Sequence, residues 1–315
     1  MLGGNLLSTS PYHEALMTLT ESKIKFLRHC GLAINLSENT LRAYGGDIDD
    51  MLGYLGQRRG MKSIKTDHLR GYLAEMREHR NLKETTIKRR LASLKLFFKW
   101  ANREHLLAND PFESLNERIR LPRRLPRALD RSDSQALRRQ LAIGPTSDFD
   151  ECRTKTMTHL LLDTGIRVGE LVAISLKDVS LSSSSILIHG KGNRQRLVYL
   201  LEKPLYRKLQ KYLAYRHRVA STNDRLFVSG SGAPLSTATV RKELNALSHT
   251  AGIARHVTPH MLRHTCATQW LEAGLDIRYV QKLLGHQSIS TTEIYTHVSD
   301  QGLREALLRA SGRGG

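Results

Sequence analysis

The sequence predicts a mostly α-helical chain of two domains with one small antiparallel β-sheet, on three observations. Its 315 residues are roughly double the ~150 that suit a single domain. The first hundred or so residues carry helical spacing throughout. Beyond them, β-type patterning is confined to one pair of short runs. A hydrophobic content of 40% is enough for two cores and excludes wholesale disorder.

In the front part, segments at about 14–31, 37–55, 67–79 and 84–104 read as helices. Ser37 and Asp67 suit the N-caps of the second and third. The fourth is the clearest, because Ile87, Leu91, Leu94 and Phe98 step by 4, 3 and 4 and form an apolar stripe. On another face Lys88, Lys95 and Lys99 step by 7 and 4. Such a run fits a solvated face or a phosphate backbone, and the strongly basic chain evens the two. After Pro111 the stretch RIRLPRRLPRALDRSD reads as an extended, semi-rigid linker, since proline fixes φ and biases its predecessor away from helix. The remainder predicts helices at 132–142, 149–164, 168–175, 203–219, 236–251, 259–273, 277–284 and 291–297. Its β signal is the pair SILIH and RLVYLL, joined by a turn of glycine and asparagine type.

Lysine and arginine number 49 against 30 acidic residues, a net charge of +19. That excess points to a polyanionic partner, with nucleic acid first. No apolar run approaches the ~18 residues of a membrane span, and the opening MLGGNLLSTSPYHEAL lacks a leader pattern, so a cytoplasmic protein with no membrane partner is expected. Three scattered cysteines, Cys30, Cys152 and Cys266, fit neither a disulfide framework nor a thiolate zinc site.

Several residues sit where local structure would present them. Arg167 lies at a new helix start in TGIRVGEL, with Glu170 three residues on to orient it or simply pair with it. Lys191 stands at the tip of a turn between Gly190 and Gly192, free to swing, although an ordinary turn lysine fits as well; the spacing of a P-loop is absent. His260 and Arg263 share a face of the helix opened by Pro259. His264 completes an i,i+4 histidine pair, but Met261 stands where a zinc protease would carry its glutamate, and no third ligand is in place. A His–Arg face aimed at phosphate is the better reading, and Arg241 is a further candidate for DNA contact. Gly285 suits a helix C-cap, leaving His286 at a turn, and Tyr295 follows nine residues later.

In joint order and spacing these residues resemble the tyrosine recombinase (phage integrase-like) family. The match is carried by TGIRVGEL around Arg167, HGKGNRQR around Lys191, HMLRHTCATQWLEAG from His260, and LLGHQSISTTEIYTHV with His286 and Tyr295. In the front half SENTLRAYGGDI and TTIKRRLASLKLFFKWANRE also look like that family's core-binding domain. The resemblance runs from about residue 13 to 298, with no departure at the six positions.

It implies a helical, SAM-like core-binding domain at 13–113, a basic linker at 114–132, a mixed α/β catalytic domain at 133–298 and a tail at 299–315, the two domains forming a clamp on DNA. In that tail Leu303, Ala306 and Leu307 offer a stripe for a neighbouring protomer. Tyr295 would be the nucleophile, forming a 3′-phosphotyrosyl link, with Arg167 and Arg263 clamping the phosphate, Lys191 as general acid, His260 as general base and His286 bonding the phosphate. Neither metal nor ATP is implied as cofactor, because the covalent link conserves the phosphodiester energy. The implied partners are duplex DNA with an inverted-repeat core site and three further protomers on two sites; a paired recombinase or accessory protein stays open. Too few residues precede His13 for an arm-binding domain, and no integron-type insertion is present, so compact Xer-like members of bacteria and archaea are the nearest look. Element integration, excision and dimer resolution all fit. The alternatives are a type IB topoisomerase, which shares the chemistry, and a DNA-binding accessory factor without chemistry.

Overall fold

The structure, a computed structural model, describes residues 18–57, 59–115, 128–143, 148–190 and 194–285. The chain divides into two compact units, Met1–Arg123 and Arg124–Gly315.

In the first unit α1 spans Leu19–Leu32. It begins because Thr18 and Glu21 cap each other: the Glu21 N–H donates to the Thr18 hydroxyl (3.2 Å), and the Thr18 N–H donates to the Glu21 carboxylate (2.8 Å). Helix α2 (Glu38–Leu55) starts after Ser37, whose hydroxyl lies 2.9 Å from that of Thr40. Helix α3 covers Thr66–Ala74 and runs into a π-helical turn at Glu75–His79, where an unbroken helix to His79 is predicted. Asp67 is not its cap. The helix begins one residue earlier because His68 Nδ1 accepts the Lys65 N–H (3.0 Å) and the Thr66 hydroxyl donates to the Pro111 carbonyl (3.0 Å), so Asp67 pairs within the first turn with Arg70 (2.9 Å). Helix α4 (Glu84–Arg103) buries Ile87, Leu94, Phe97, Phe98 and Trp100 against Phe26 of α1 and Met51 of α2. The Phe26 and Phe97 rings meet edge to face at 5.3 Å. Lys88, Lys95 and Lys99 are exposed.

A polar network borders this core, with Asp47, Ser93 and Tyr72 buried and its arginines nearer the surface. Asp47 of α2 accepts from the Ser93 hydroxyl (2.7 Å) and from Arg89. Asp50 accepts from the Tyr72 hydroxyl (2.5 Å), from both Arg80 terminal nitrogens (2.8 Å each) and from Arg90.

The first helix of the second unit is α5 (Arg131–Ala142), capped by the Asp130 carboxylate, which accepts the Asp133 N–H at 2.8 Å. Just before it Leu129 is buried, its N–H on the Thr265 hydroxyl (2.8 Å). Helix α6 (Phe149–Thr164) is buried on nearly every side and packs against α8 (Lys203–Arg216), α9 (Thr237–Thr250) and α10 (Pro259–Glu272). Helix α6 is not apolar all round: its buried charges are paired, Arg153 with Glu243 of α9 (2.5 Å) and Lys155 with Glu151 (2.7 Å). A short α7 (Val168–Ala173) follows, and α11 (Ile277–Leu284) ends the described chain. The sheet has the order β1-β2-β3, with β1 at Val179–Ser180, β2 at Ser185–His189 and β3 at Gln195–Tyr199, all antiparallel. Strand β1 is absent from the prediction, its two residues giving no alternation to read. The register sets Ile186 opposite Val198 and Ile188 opposite Arg196. The predicted helix at 291–297 lies outside the described residues, as do Lys191, His286, Tyr295 and the tail.

Candidate active site

The site begins at the turn between α6 and α7. Gly165 closes α6 with φ +60°, a left-handed conformation that favours glycine. A Cβ there would lie 2.7 Å from the Leu284 side chain, so α11 also packs too close for anything larger. Two residues on, Arg167 is the N-cap of α7. Its N–H donates to Glu170 Oε2 (2.8 Å), its Nη1 to Glu170 Oε1 (2.9 Å) and its Nη2 to the Gly285 carbonyl (3.3 Å). The Arg167 side chain keeps 42% of its surface exposed.

Arg263 comes from the first turns of α10, which Thr258 caps and Pro259 opens. It is buried, with Nη1 on the Gly165 carbonyl (2.6 Å) and Nη2 on the Leu284 carbonyl (2.8 Å). One guanidinium thus braces both the α6–α7 turn and the end of α11.

A third arginine enters from the sheet. Arg196 Nε donates to the Leu283 carbonyl (2.8 Å), and its two terminal nitrogens reach Glu170 at 3.1 and 2.7 Å. Three consecutive carbonyls, of Leu283, Leu284 and Gly285, therefore each receive a different arginine from a different element. The end of a helix carries partial negative charge, so cations suit it. Glu170 is buried; burial pushes its carboxyl up, but the bonds from Arg196 and from the Arg167 N–H outweigh that and hold it below the usual range, hence ionised.

His260 is exposed at the start of α10. Loss of hydration around its ring, and then the charges of Arg263, Arg241 and Arg167, hold its pKa below 6.5. The imidazole is thus kept neutral, the form that can accept a proton. Arg241 is itself exposed on α9, with Nη1 on the Thr237 hydroxyl (3.1 Å).

Of the sequence candidates, Arg167, Glu170, His260, Arg263 and Arg241 are brought together. Lys191, His286 and Tyr295 lie outside the described residues, but Gly190 and Gly285, which precede Lys191 and His286, are placed here. Gly190 closes the hairpin base with its N–H on the Arg194 carbonyl (2.7 Å), and a Cβ on it would stand 3.9 Å from Glu170 Oε1. Gly285, left-handed at φ +66°, caps α11 immediately before position 286. Lys88, Lys95 and Lys99 belong to the other unit. Arg196 was missed by the sequence reading. The signal was present: in β3 it shares the inward-facing parity of Val198, and a cation on that face needs partners. Among the described residues no group of three His, Cys, Asp or Glu gathers as a metal site.

Comparison with known proteins decides the family. The model of the phage integrase family matches residues 130–302, and that of the phage integrase N-terminal SAM-like domain matches residues 24–105. The chain belongs to the phage integrase family. It is 37% identical to the tyrosine recombinase XerD of Proteus mirabilis over 286 residues, 89% of each chain. With XerD of Halalkalibacterium halodurans the identity is 34%, covering 91% of this chain and 96% of the relative. Among solved structures, the XerH site-specific recombinase in a post-cleavage complex with its palindromic difH substrate superposes with a TM-score of 0.71 at 25% identity, covering 91% of this chain and 84% of that one. A lambda integrase dimer on a COC′ core site shares the fold at 18% identity, with a TM-score of 0.70 and coverage of 90% and 97%. This is a tyrosine-type site-specific recombinase, and neither the topoisomerase reading nor that of a silent accessory factor is favoured.

Proposed function

We propose that this recombinase cuts and rejoins duplex DNA with Tyr295 as nucleophile. The phenolic oxygen attacks the scissile phosphorus and forms the 3′-phosphotyrosyl bond, while the bond from phosphorus to the 5′ oxygen breaks. The tyrosine proton passes to the neutral His260, and Lys191 gives a proton to the leaving 5′ oxygen. Arg167 and Arg263 face the non-bridging oxygens, where the guanidinium fork matches phosphate and negative charge gathers in the transition state. His286 bonds the same phosphate. Glu170 orients Arg167. A 5′-hydroxyl of the partner strand then reverses the sequence and reseals the backbone, and the energy of the broken bond is kept in the tyrosyl link.

The observation that carries this reading is the row of three arginines on the carbonyls of residues 283–285, directly before the segment that bears His286 and Tyr295. Charge adds support: Lys88, Lys95 and Lys99 form an exposed basic face on α4, suited to the phosphate backbone, and Arg241 would extend such contacts in the second unit. On this reading the core-binding part is 13–113, the linker 114–132, the catalytic part 133–298, and the tail 299–315 joins protomers. The substrate is a cytoplasmic inverted-repeat site, four protomers acting on two such sites.

A nicked suicide substrate carrying the cognate site tests the reading. Wild type is expected to form an adduct that survives denaturant, and Tyr295→Phe to bind without forming one. An adduct persisting in the Phe variant would move the nucleophile elsewhere. Relaxation of supercoiled plasmid lacking the site would instead indicate swivelling.

A further inference from the structure

We infer that Arg196 is a positioning residue of the strand-transfer site, locking together the turn that presents Arg167, the hairpin that carries Lys191 and the end of α11 that leads into His286. The inference rests on the function proposed above and extends it to a residue outside the six.

All three guanidinium nitrogens of Arg196 are engaged, two on Glu170 and one on the Leu283 carbonyl. Only 13% of its side chain is exposed, against 42% for Arg167. Arg167 can turn toward a substrate; Arg196 is committed to the protein. Gly285 sits against it so closely that a Cβ there would lie 3.1 Å from its Nη1 and 3.4 Å from its Cδ. The α11 C-cap is therefore moulded on this side chain. Its backbone pairs with Ile188, so the guanidinium reaches Glu170 and Leu283 from a register fixed by the sheet.

The consequence for Arg167 is electrostatic. Glu170 Oε1 accepts from Arg167 Nη1 and Arg196 Nη1, and Oε2 from the Arg167 N–H and Arg196 Nη2. Arg196 thus satisfies half of a buried carboxylate. Without it the charge of Glu170 would fall to Arg167 alone, drawing that guanidinium into a tighter pair and away from phosphate. Lysine is a poor replacement, because one ammonium on a flexible stem does not reproduce the planar fork.

Full-length Arg196→Lys and Arg196→Gln, with and without Glu170→Gln, are compared with wild type and Tyr295→Phe on the suicide substrate. Thermal melting and DNA affinity are measured on the same preparations. The expected result for Arg196→Lys is DNA affinity within about threefold of wild type and adduct formation slowed by ~10–100-fold, a loss in the chemical step rather than in binding. Adding Glu170→Gln to Arg196→Gln should restore at least ~fivefold of the lost rate, by removing the charge that captures Arg167. A merely structural role would make the two losses add. Should Arg196→Gln fail to fold, Arg196→Lys with and without Glu170→Gln decides. Adduct formation by Arg196→Lys within about twofold of wild type would overturn this inference alone, as would additive losses. Absence of any adduct from wild type would overturn the strand-transfer reading as well.

Discussion

Two arginine clusters, one in each unit, are held in different ways. In the first, Arg80, Arg89 and Arg90 each end on an aspartate of α2. A carboxylate cancels the charge it fixes, and the result is a cross-link between helices. In the second, Arg167, Arg196 and Arg263 each place one nitrogen on a main-chain carbonyl at residues 283–285. A carbonyl aims a guanidinium without neutralising it, and although Arg167 and Arg196 also share Glu170, that single carboxylate cancels only one of the three charges. The first arrangement supports a fold; the second, on the function proposed above, keeps a field available for a phosphate. Arginine count would not separate the two clusters, but the share of main-chain carbonyls among the acceptors does.

Exchanging one charged residue in each cluster should affect cleavage most in the second. Arg263→Lys lacks the planar fork whose two nitrogens hold the Gly165 and Leu284 carbonyls, and its cleavage in single turnover is expected to fall by at least ~10³-fold. Retention of most activity would mean that charge suffices and geometry does not matter. In the first unit Asp50→Asn strips partners from Tyr72, Arg80 and Arg90, and should lower stability by about 2–3 kcal/mol in denaturant unfolding. Cleavage by the folded fraction should stay near wild type. The pH dependence follows. Burial raises the Asp50 carboxyl, but bonds from Arg80 and Tyr72 and the Arg90 charge hold it below its ordinary 3.8. Its stabilisation is therefore present above pH 3.8 and lost as pH falls below it, a loss that Asp50→Asn should not show.

Smaller effects sharpen the contrast. Replacing Lys88, Lys95 and Lys99 by Gln should lower the slope of log affinity against log salt by about one per lysine, with cleavage of bound substrate unchanged. An unaltered slope would return that face to solvent. The smallest effect is at His260. Arg241→Gln removes one of the charges that hold its pKa down, so its imidazole, followed by NMR in the free protein, should titrate at higher pH than in wild type while staying below 6.5. No change would separate Arg241 from the site.

Most elements could be read from the chain because their causes are local. The Ile87–Phe98 stripe and the turns at Gly165 and Gly285 follow from spacing and from single residues. Where a local rule failed, a neighbour overruled it: Asp67 lost its cap to His68 and the Pro111 carbonyl. The site was half legible. Arg167, His260 and Arg263 stand out as polar groups at helix starts. Arg196 hides in a β-rich run, and its meaning depends on the strand's inward face and on Glu170, 26 residues away. The carbonyls of residues 283–285 are invisible in any sequence, because every residue has one.

On the proposed mechanism, fixed guanidinium charge acts on the transition state more than on docking. The direct measurement is Arg167→Ala, with DNA affinity and single-turnover adduct formation determined on one preparation. Affinity should stay within about tenfold of wild type while adduct formation is lost, because the contact removed is made mainly in the transition state. Equal losses of binding and cleavage would contradict the account and make Arg167 a docking residue.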